Sequence, residues 1–190
     1  MADITRVTTG MVRFSFVHLT TPYAFTPGAE EKYSATILVP KSDIATKKKI
    51  DAAIAAATQR GVTDKWGGKK PPVINIPVYD GDGVRPNGEE FGPECKGHWV
   101  FTASAKEEYK PGIVDKDLND ILDPSEIYSG MYGRVNVNFY PYDYAGKKGI
   151  GCGLGPVQKL RDGESLGGGA VSAAAAFGDG FEDDGDDLIF

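Results

Sequence analysis

Between Met11 and Leu19 the apolar residues Val12, Phe14 and Phe16 alternate with Met11, Arg13 and Ser15. This is the period-2 pattern of a half-buried strand. Pro22 and Pro27 then bracket a loop, and a second strand is predicted from Tyr33 to Val39. It places Tyr33, Ala35, Ile37 and Val39 on one face and Lys32, Ser34 and Thr36 on the other, and Pro40 ends it. The period then lengthens. Ile50, Ala53, Ile54 and Ala57 fall on one helical stripe, with Ser42 or Asp43 as N-cap and Gly61 as C-terminal cap.

The chain from Val62 to His98 is loop-rich, with a short strand expected from Val73 to Tyr79 and a tight turn at Asp80-Gly81-Asp82-Gly83. A strand from Trp99 to Ala105 follows, with Trp99 and Phe101 on a shared core face. The polar stretch Asp115 to Glu126 has room for a helical turn around Leu118 and Ile121. The clearest alternation runs from Tyr132 to Tyr140, with Val135, Val137 and Phe139 facing one way and Tyr132, Arg134, Asn136, Asn138 and Tyr140 the other. A turn at Ala145-Gly146-Lys147-Lys148 pairs it in a hairpin with a last strand from Gly149 to Leu160. Five or six strands with one inserted α-helix make a mainly β chain laid out as an OB-fold, a five-stranded Greek-key barrel, though layout alone also admits other small barrels.

Composition changes abruptly after Arg161. Gly167 to Gly169 and Ala173 to Ala176 lead into acids, so residues 1–161 read as the folded domain and 162–190 as a flexible linker and disordered acidic C-terminal tail. Charge divides at the same place: all 21 Lys and Arg lie in 1–161 against 19 Asp and Glu, while 162–190 carries eight acids and no base. The pI near 5.0 therefore belongs to the tail, and the near-neutral body is free to carry a basic groove. Cys95 and Cys152, with only His18 and His98 beside them, show no metal-ligand spacing; no metal or cofactor is expected, and the thiols suit a reducing compartment. No apolar run approaches a membrane span, and the N-terminus lacks a signal-peptide core, which predicts a cytosolic protein.

No catalytic residue is proposed: phosphate loop, nucleophile elbow and zinc-helix motifs are all missing, and Asp80 with Asp82 is explained more simply by the turn. The chemistry-bearing pattern is aromatics interleaved with bases, because single-stranded nucleic acid needs flat stacking partners for its bases and cations for its phosphates. Tyr132, Arg134, Asn136 and Tyr140 project from one strand face, with the alternative that they merely solvate a barrel. Lys69, Lys70, Arg85, Lys106, Tyr109 and Lys110 lie on connections that would surround the same groove. Trp66, on a Gly-flanked loop between lysines, is a stacking candidate that would look identical if it capped the core. Lys47 to Lys49 read as a solvated helix face, Lys47 pairing with Asp51. In the tail, Glu182, Asp183, Asp184, Asp186 and Asp187 precede Leu188, Ile189 and Phe190. Acids supply long-range attraction to a basic pocket, and a terminal aromatic with its carboxylate suits capture by a hydrophobic slot.

The ending Asp-Asp-Gly-Asp-Asp-Leu-Ile-Phe resembles the tips of bacterial and phage single-stranded DNA-binding proteins, and the stretches Tyr33 to Pro40, Lys110 to Asp115 and Tyr128 to Leu160 are similar to those of the tailed-phage family. The resemblance implies an OB-fold that coats single-stranded DNA without strong sequence preference in phage DNA replication, recombination and repair, in the cytoplasm of an infected bacterial host. It also implies a tail that recruits polymerase, helicase or primase and competes with DNA for the groove, in cis or across a homodimer. The main competing reading is a protein-interaction or assembly factor with an OB-like scaffold and no DNA binding. A nuclease would need a carboxylate cluster or His pair that the sequence does not display.

Overall fold

The computed structural model describes residues 3–166. Eight strands and one long helix follow in the order β1 (Arg6–Thr8), β2 (Val12–Tyr23), β3 (Lys32–Pro40), α1 (Ile44–Asp64), β4 (Tyr79–Asp80), β5 (His98–Lys106), β6 (Ile113–Val114), β7 (Tyr132–Tyr144) and β8 (Lys147–Arg161). Five of them close on themselves. β2 pairs with β3, β3 with β5, β5 with β8, β8 with β7, and β7 with β2. All these pairings are antiparallel except β5 with β8. Two closures are short: β2 meets β7 over two residue pairs, and β5 meets β8 at Ser104 and Gly153 alone. This is the partly open five-stranded Greek-key barrel of an OB-fold.

The expected alternations build its interior. Tyr33, Ala35, Ile37 and Val39 of β3 are buried with Val135, Val137 and Phe139 of β7, and Phe101 meets Phe139 at a ring-centroid distance of 6.0 Å. Helix α1 closes the core with Ile50, Ala53 and Ala57, and Asp43 caps it by accepting from the Thr46 N–H at 3.1 Å. The β7–β8 hairpin turns through Ala145 (φ 51) and Gly146 (φ 79), the pair of positive φ angles that a type I′ turn requires.

Several expectations are corrected. Gly61 is not a cap: the helix runs on to Asp64, and Gly61 is buried where a Cβ would lie 2.6 Å from the Trp66 ring and 2.8 Å from Pro141 Cβ. Gly61→Ala therefore overpacks this contact and should cost about 1–3 kcal/mol, read as a lower urea midpoint at unchanged slope. The expected Val73 to Tyr79 strand is broken into two short pairings, an isolated bridge of Asn75 to Gly149 and Tyr79, which with Asp80 forms β4; Pro77 between them has no N–H to donate to a ladder. The polar stretch after Val114 has no α-helical turn. Asp115 Oδ1 accepts from the N–H groups of Asp117 and Asn119, Leu118 takes φ 66, and only Pro124–Glu126 forms a 3-10 turn.

Phe16 departs most from its expected place. The register of β2 on β3 passes from Ser15 opposite Thr36 to His18 opposite Ser34, so Phe16 and Val17 together face Ala35. This bulge, with Phe16 at φ 46, turns the ring out of the core to 56% exposure. The backbone after Arg161 also stays on the body for five residues. Arg13 donates to the Glu164 carbonyl, and the Leu166 N–H donates to the Ser129 carbonyl. The linker and tail expected beyond that lie outside the described residues.

Candidate nucleic-acid interface

The outer face of β3 and β5 is the floor of a cleft of about 670 Å³. Ser34 and Thr36 of β3 face outward beside Thr102 of β5, and the Thr36 and Thr102 hydroxyls hydrogen-bond at 3.0 Å. Small polar side chains keep this floor low. Ser34 is 1% exposed, and its Oγ is the one buried side-chain N or O atom among the described residues without a hydrogen-bond partner.

Aromatic side chains wall the floor. The bulge presents Phe16 on one side, and the β2–β3 loop adds Phe25 at 61% exposure. Phe25 is held edge-on to His18 and Tyr23, at 5.8 and 5.2 Å, while His18 and Tyr23 stack at 4.4 Å with an interplanar angle of 8°. Burial pushes the His18 pKa below its ordinary value, which favours the neutral ring in its stack on Tyr23. The opposite wall is β4 and the loop after it, where Tyr79 and Phe91 lie 6.3 Å apart and the Arg85 guanidinium sits 4.9 Å from the Phe91 centroid. Phe91 is anchored with Cys95 over Leu38 and Val100, a small second core outside the barrel.

A clip fixes that loop. Lys41 Nζ reaches Asp80 Oδ1 at 2.6 Å and Asp82 Oδ2 at 2.7 Å, and Asp82 Oδ1 accepts from the Gly97 N–H. The hydrogen bonds from Lys41 hold both carboxyls below their usual range. The two acids thus serve the turn. Among the described residues no group of three His, Cys, Asp or Glu side chains is placed to hold a metal ion.

The residues singled out in the sequence fall in different places. Arg85 lines the cleft. Lys106 faces outward at one end of it, opposite Lys32, which in turn pairs with Tyr23; Tyr109 and Lys110 are exposed on the turn that follows. Trp66 is corrected from surface stacking platform to core cap: it is 5% exposed, lies against Gly61, and donates from Nε1 to the Tyr142 carbonyl at 3.1 Å. Lys69 and Lys70 are exposed beyond α1 and do not line the cleft. Tyr132, Arg134, Asn136 and Tyr140 do share the outer face of β7, but away from the cleft. Tyr132 carries the guanidinium groups of Arg13 and Arg161 on its ring, Asn136 accepts from Arg6, and Tyr140 covers Gly151. The tail residues Glu182, Asp183, Asp184, Asp186, Asp187, Leu188, Ile189 and Phe190 lie outside the described residues.

Sequence reasoning missed Phe16, His18, Tyr23, Phe25, Tyr79 and Phe91. The available signal was Tyr23 and Phe25 inside a loop bracketed by Pro22 and Pro27, where an aromatic pair has no strand or helix to pack it.

A barrel of this strand order, with an open aromatic cleft over its second and third strands, defines an OB-fold whose usual ligand face is accessible. The chain belongs to the Enc34 phage ssDNA-binding protein family: the sequence model described as "Enterobacter phage Enc34, ssDNA-binding protein" matches residues 5–189. It is 30% identical over 178 residues to protein p50 of Acyrthosiphon pisum secondary endosymbiont phage 1, covering 88% of this chain and 90% of that one. Among solved structures, the single-stranded DNA-binding protein from bacteriophage Enc34 in complex with ssDNA superposes with a TM-score of 0.71 at 30% identity, over 86% of this chain and 90% of that one. The single-stranded DNA-binding protein gp2.5 encoded by bacteriophage T7 matches with a TM-score of 0.60 at 15% identity, over 94% of this chain and 96% of that one, and shares the fold.

Proposed function

We propose that this protein binds single-stranded DNA along the β3–β5 cleft without strong sequence preference, coating it during phage DNA replication, recombination and repair. The observation that carries the reading is the exposed aromatic wall of Phe16, Tyr23, Phe25 and Tyr79 above a low polar floor. Every base has a π-face, so aromatic rings grip a strand without reading its sequence. Arg85 at the wall and Lys32 and Lys106 at the end are the cations for its phosphates. The Enc34 relative solved with ssDNA supports the choice of ligand.

The acidic segment ending in Leu188, Ile189 and Phe190 recruits replication proteins such as polymerase, helicase or primase, and competes with DNA for the body. What supports this is the charge division: eight acids and no base follow Arg161. The test is a titration of fluorescent oligo-dT against the full chain and a chain lacking residues 179–190, at two salt concentrations. Binding should weaken steeply with salt, because released counterions drive it, and should tighten when the acids are removed. Absence of binding by both chains at low salt would end the reading. Unchanged affinity on deletion would remove only the competition.

A further inference from the structure

A second surface, rich in arginine, adjoins the cleft. Arg13 lies two residues before Ser15 on the same outer face of β2, about 7 Å along the strand from the cleft floor. Its cross-strand neighbour on β7 is Tyr132, and the neighbour of Tyr132 on β8 is Arg161. The guanidinium carbons of Arg13 and Arg161 lie 5.3 and 4.4 Å from the Tyr132 centroid. The row continues along the outer face of β7 to Arg134 and then to Asn136, which accepts from Arg6 of the neighbouring β1 at 2.7 Å.

Like most cations among the described residues, these four arginines make no ion pair; what sets Arg6, Arg13 and Arg134 apart from the other unpaired ones is a hydrogen bond to a neutral acceptor. Among the described residues every ion pair is made by Lys41, Lys47, Arg60 or Lys159. Arg13 instead donates to the Gly130 and Glu164 carbonyls, Arg134 to the Thr9 carbonyl and Arg6 to Asn136. Neutral acceptors orient these three guanidinium groups without neutralising them, and Arg161 is placed instead by the Tyr132 ring beneath it. Asp162, the nearest acid in sequence to Arg161, is itself held by Lys159 at 2.7 Å. Three guanidinium groups held by neutral acceptors and a fourth laid on Tyr132, none of them in an ion pair among the described residues, suit a row of phosphates on one continuous sheet face, and the shared position on β2 joins that row to the aromatic cleft.

We infer that Arg13, Arg161, Arg134 and Arg6 form a phosphate-binding track that carries a bound single strand out of the cleft and around the β7 side of the barrel. The inference rests on the cleft reading above. It makes the protein's footprint longer than the cleft: bases stack in the cleft, and beyond it only the backbone is held.

The test uses the full chain with Arg6→Gln, Arg134→Gln and Arg161→Gln together, all at exposed positions. Fluorescence anisotropy compares oligo-dT of about 6 and about 20 nucleotides, one near the lower end of the span an OB-fold covers and one beyond its upper end. The short strand should bind within about twofold of the parent, while the long strand should lose roughly tenfold at low salt. For the long strand the slope of log K against log salt should fall by about 2, three phosphate contacts at about 0.7 each. Equal losses on both lengths, or none on either, would overturn the track and leave the cleft standing. A failure of the parent chain to bind either strand would overturn the cleft reading and the track with it. A parallel set in which Asp183, Asp184, Asp186 and Asp187 are changed to Asn addresses the rival polyanion: disappearance of the long-strand loss in that background would assign the arginines to the chain's own acidic segment and overturn the proposal.

Discussion

Phe16→Ala combined with Phe25→Ala should weaken oligo-dT binding by at least roughly 30-fold, because each aromatic removed takes away stacking worth about 1–3 kcal/mol. Both rings are more than half exposed, at 56% and 61%, so neither contributes much to the core and the thermal midpoint should stay near that of the parent. The salt slope should also hold, since no cation is lost. Fluorescence titration at several salt concentrations, beside a thermal melt, separates these effects. The combination is what matters: lower affinity, unchanged slope and unchanged stability identify a stacking surface. A fall in stability would instead identify the rings as packing groups.

Phe139→Ala should produce the opposite profile. Phe139 is 1% exposed at the centre of β7 and packs on Phe101 across the barrel. Truncating a buried phenylalanine leaves a cavity as well as losing transfer energy, a cost of about 3–5 kcal/mol. For a chain of this size that corresponds to a midpoint lowered by roughly 6–20 °C, measurable by circular dichroism. Well below the new midpoint, affinity for DNA should be near that of the parent, because the cleft does not include Phe139.

The barrel was legible where regular period and burial coincide. β3 and β7 each keep one inward face, and the Ala145-Gly146 turn states the pairing of β7 with β8 through its own backbone preference. The N-cap at Asp43 was legible for the same local reason. The cleft was not, because it is made by exceptions to period. Phe16 belongs to the apolar set of β2 until a one-residue bulge reverses it, and a bulge leaves no trace in an alternation. Tyr79 of the two-residue β4 and Arg85 and Phe91 of the irregular loop after it are placed by Lys41 gripping Asp80 and Asp82 across 39 and 41 positions, a tertiary contact with no local signal. Trp66 shows the converse. Its Gly-flanked loop suggested exposure, but Gly61, one turn earlier, leaves the space into which the indole folds. The aromatic and basic residues on β7 were placed on the right face, yet that face is an arginine surface beside the cleft.

The central claim is that single-stranded DNA lies across β3 and β5 against the aromatic walls. Ultraviolet crosslinking of the full chain to oligo-dT, followed by mass spectrometry of the joined peptides, tests it most directly, because crosslinks form where a base rests on a side chain. The expected adducts fall on Phe16, Tyr23, Phe25 or Tyr79 and disappear when unlabelled oligo-dT is added in excess. Adducts confined to the exposed tyrosines of the β7–β8 hairpin, Tyr140 and Tyr144, with none in the cleft, would contradict it.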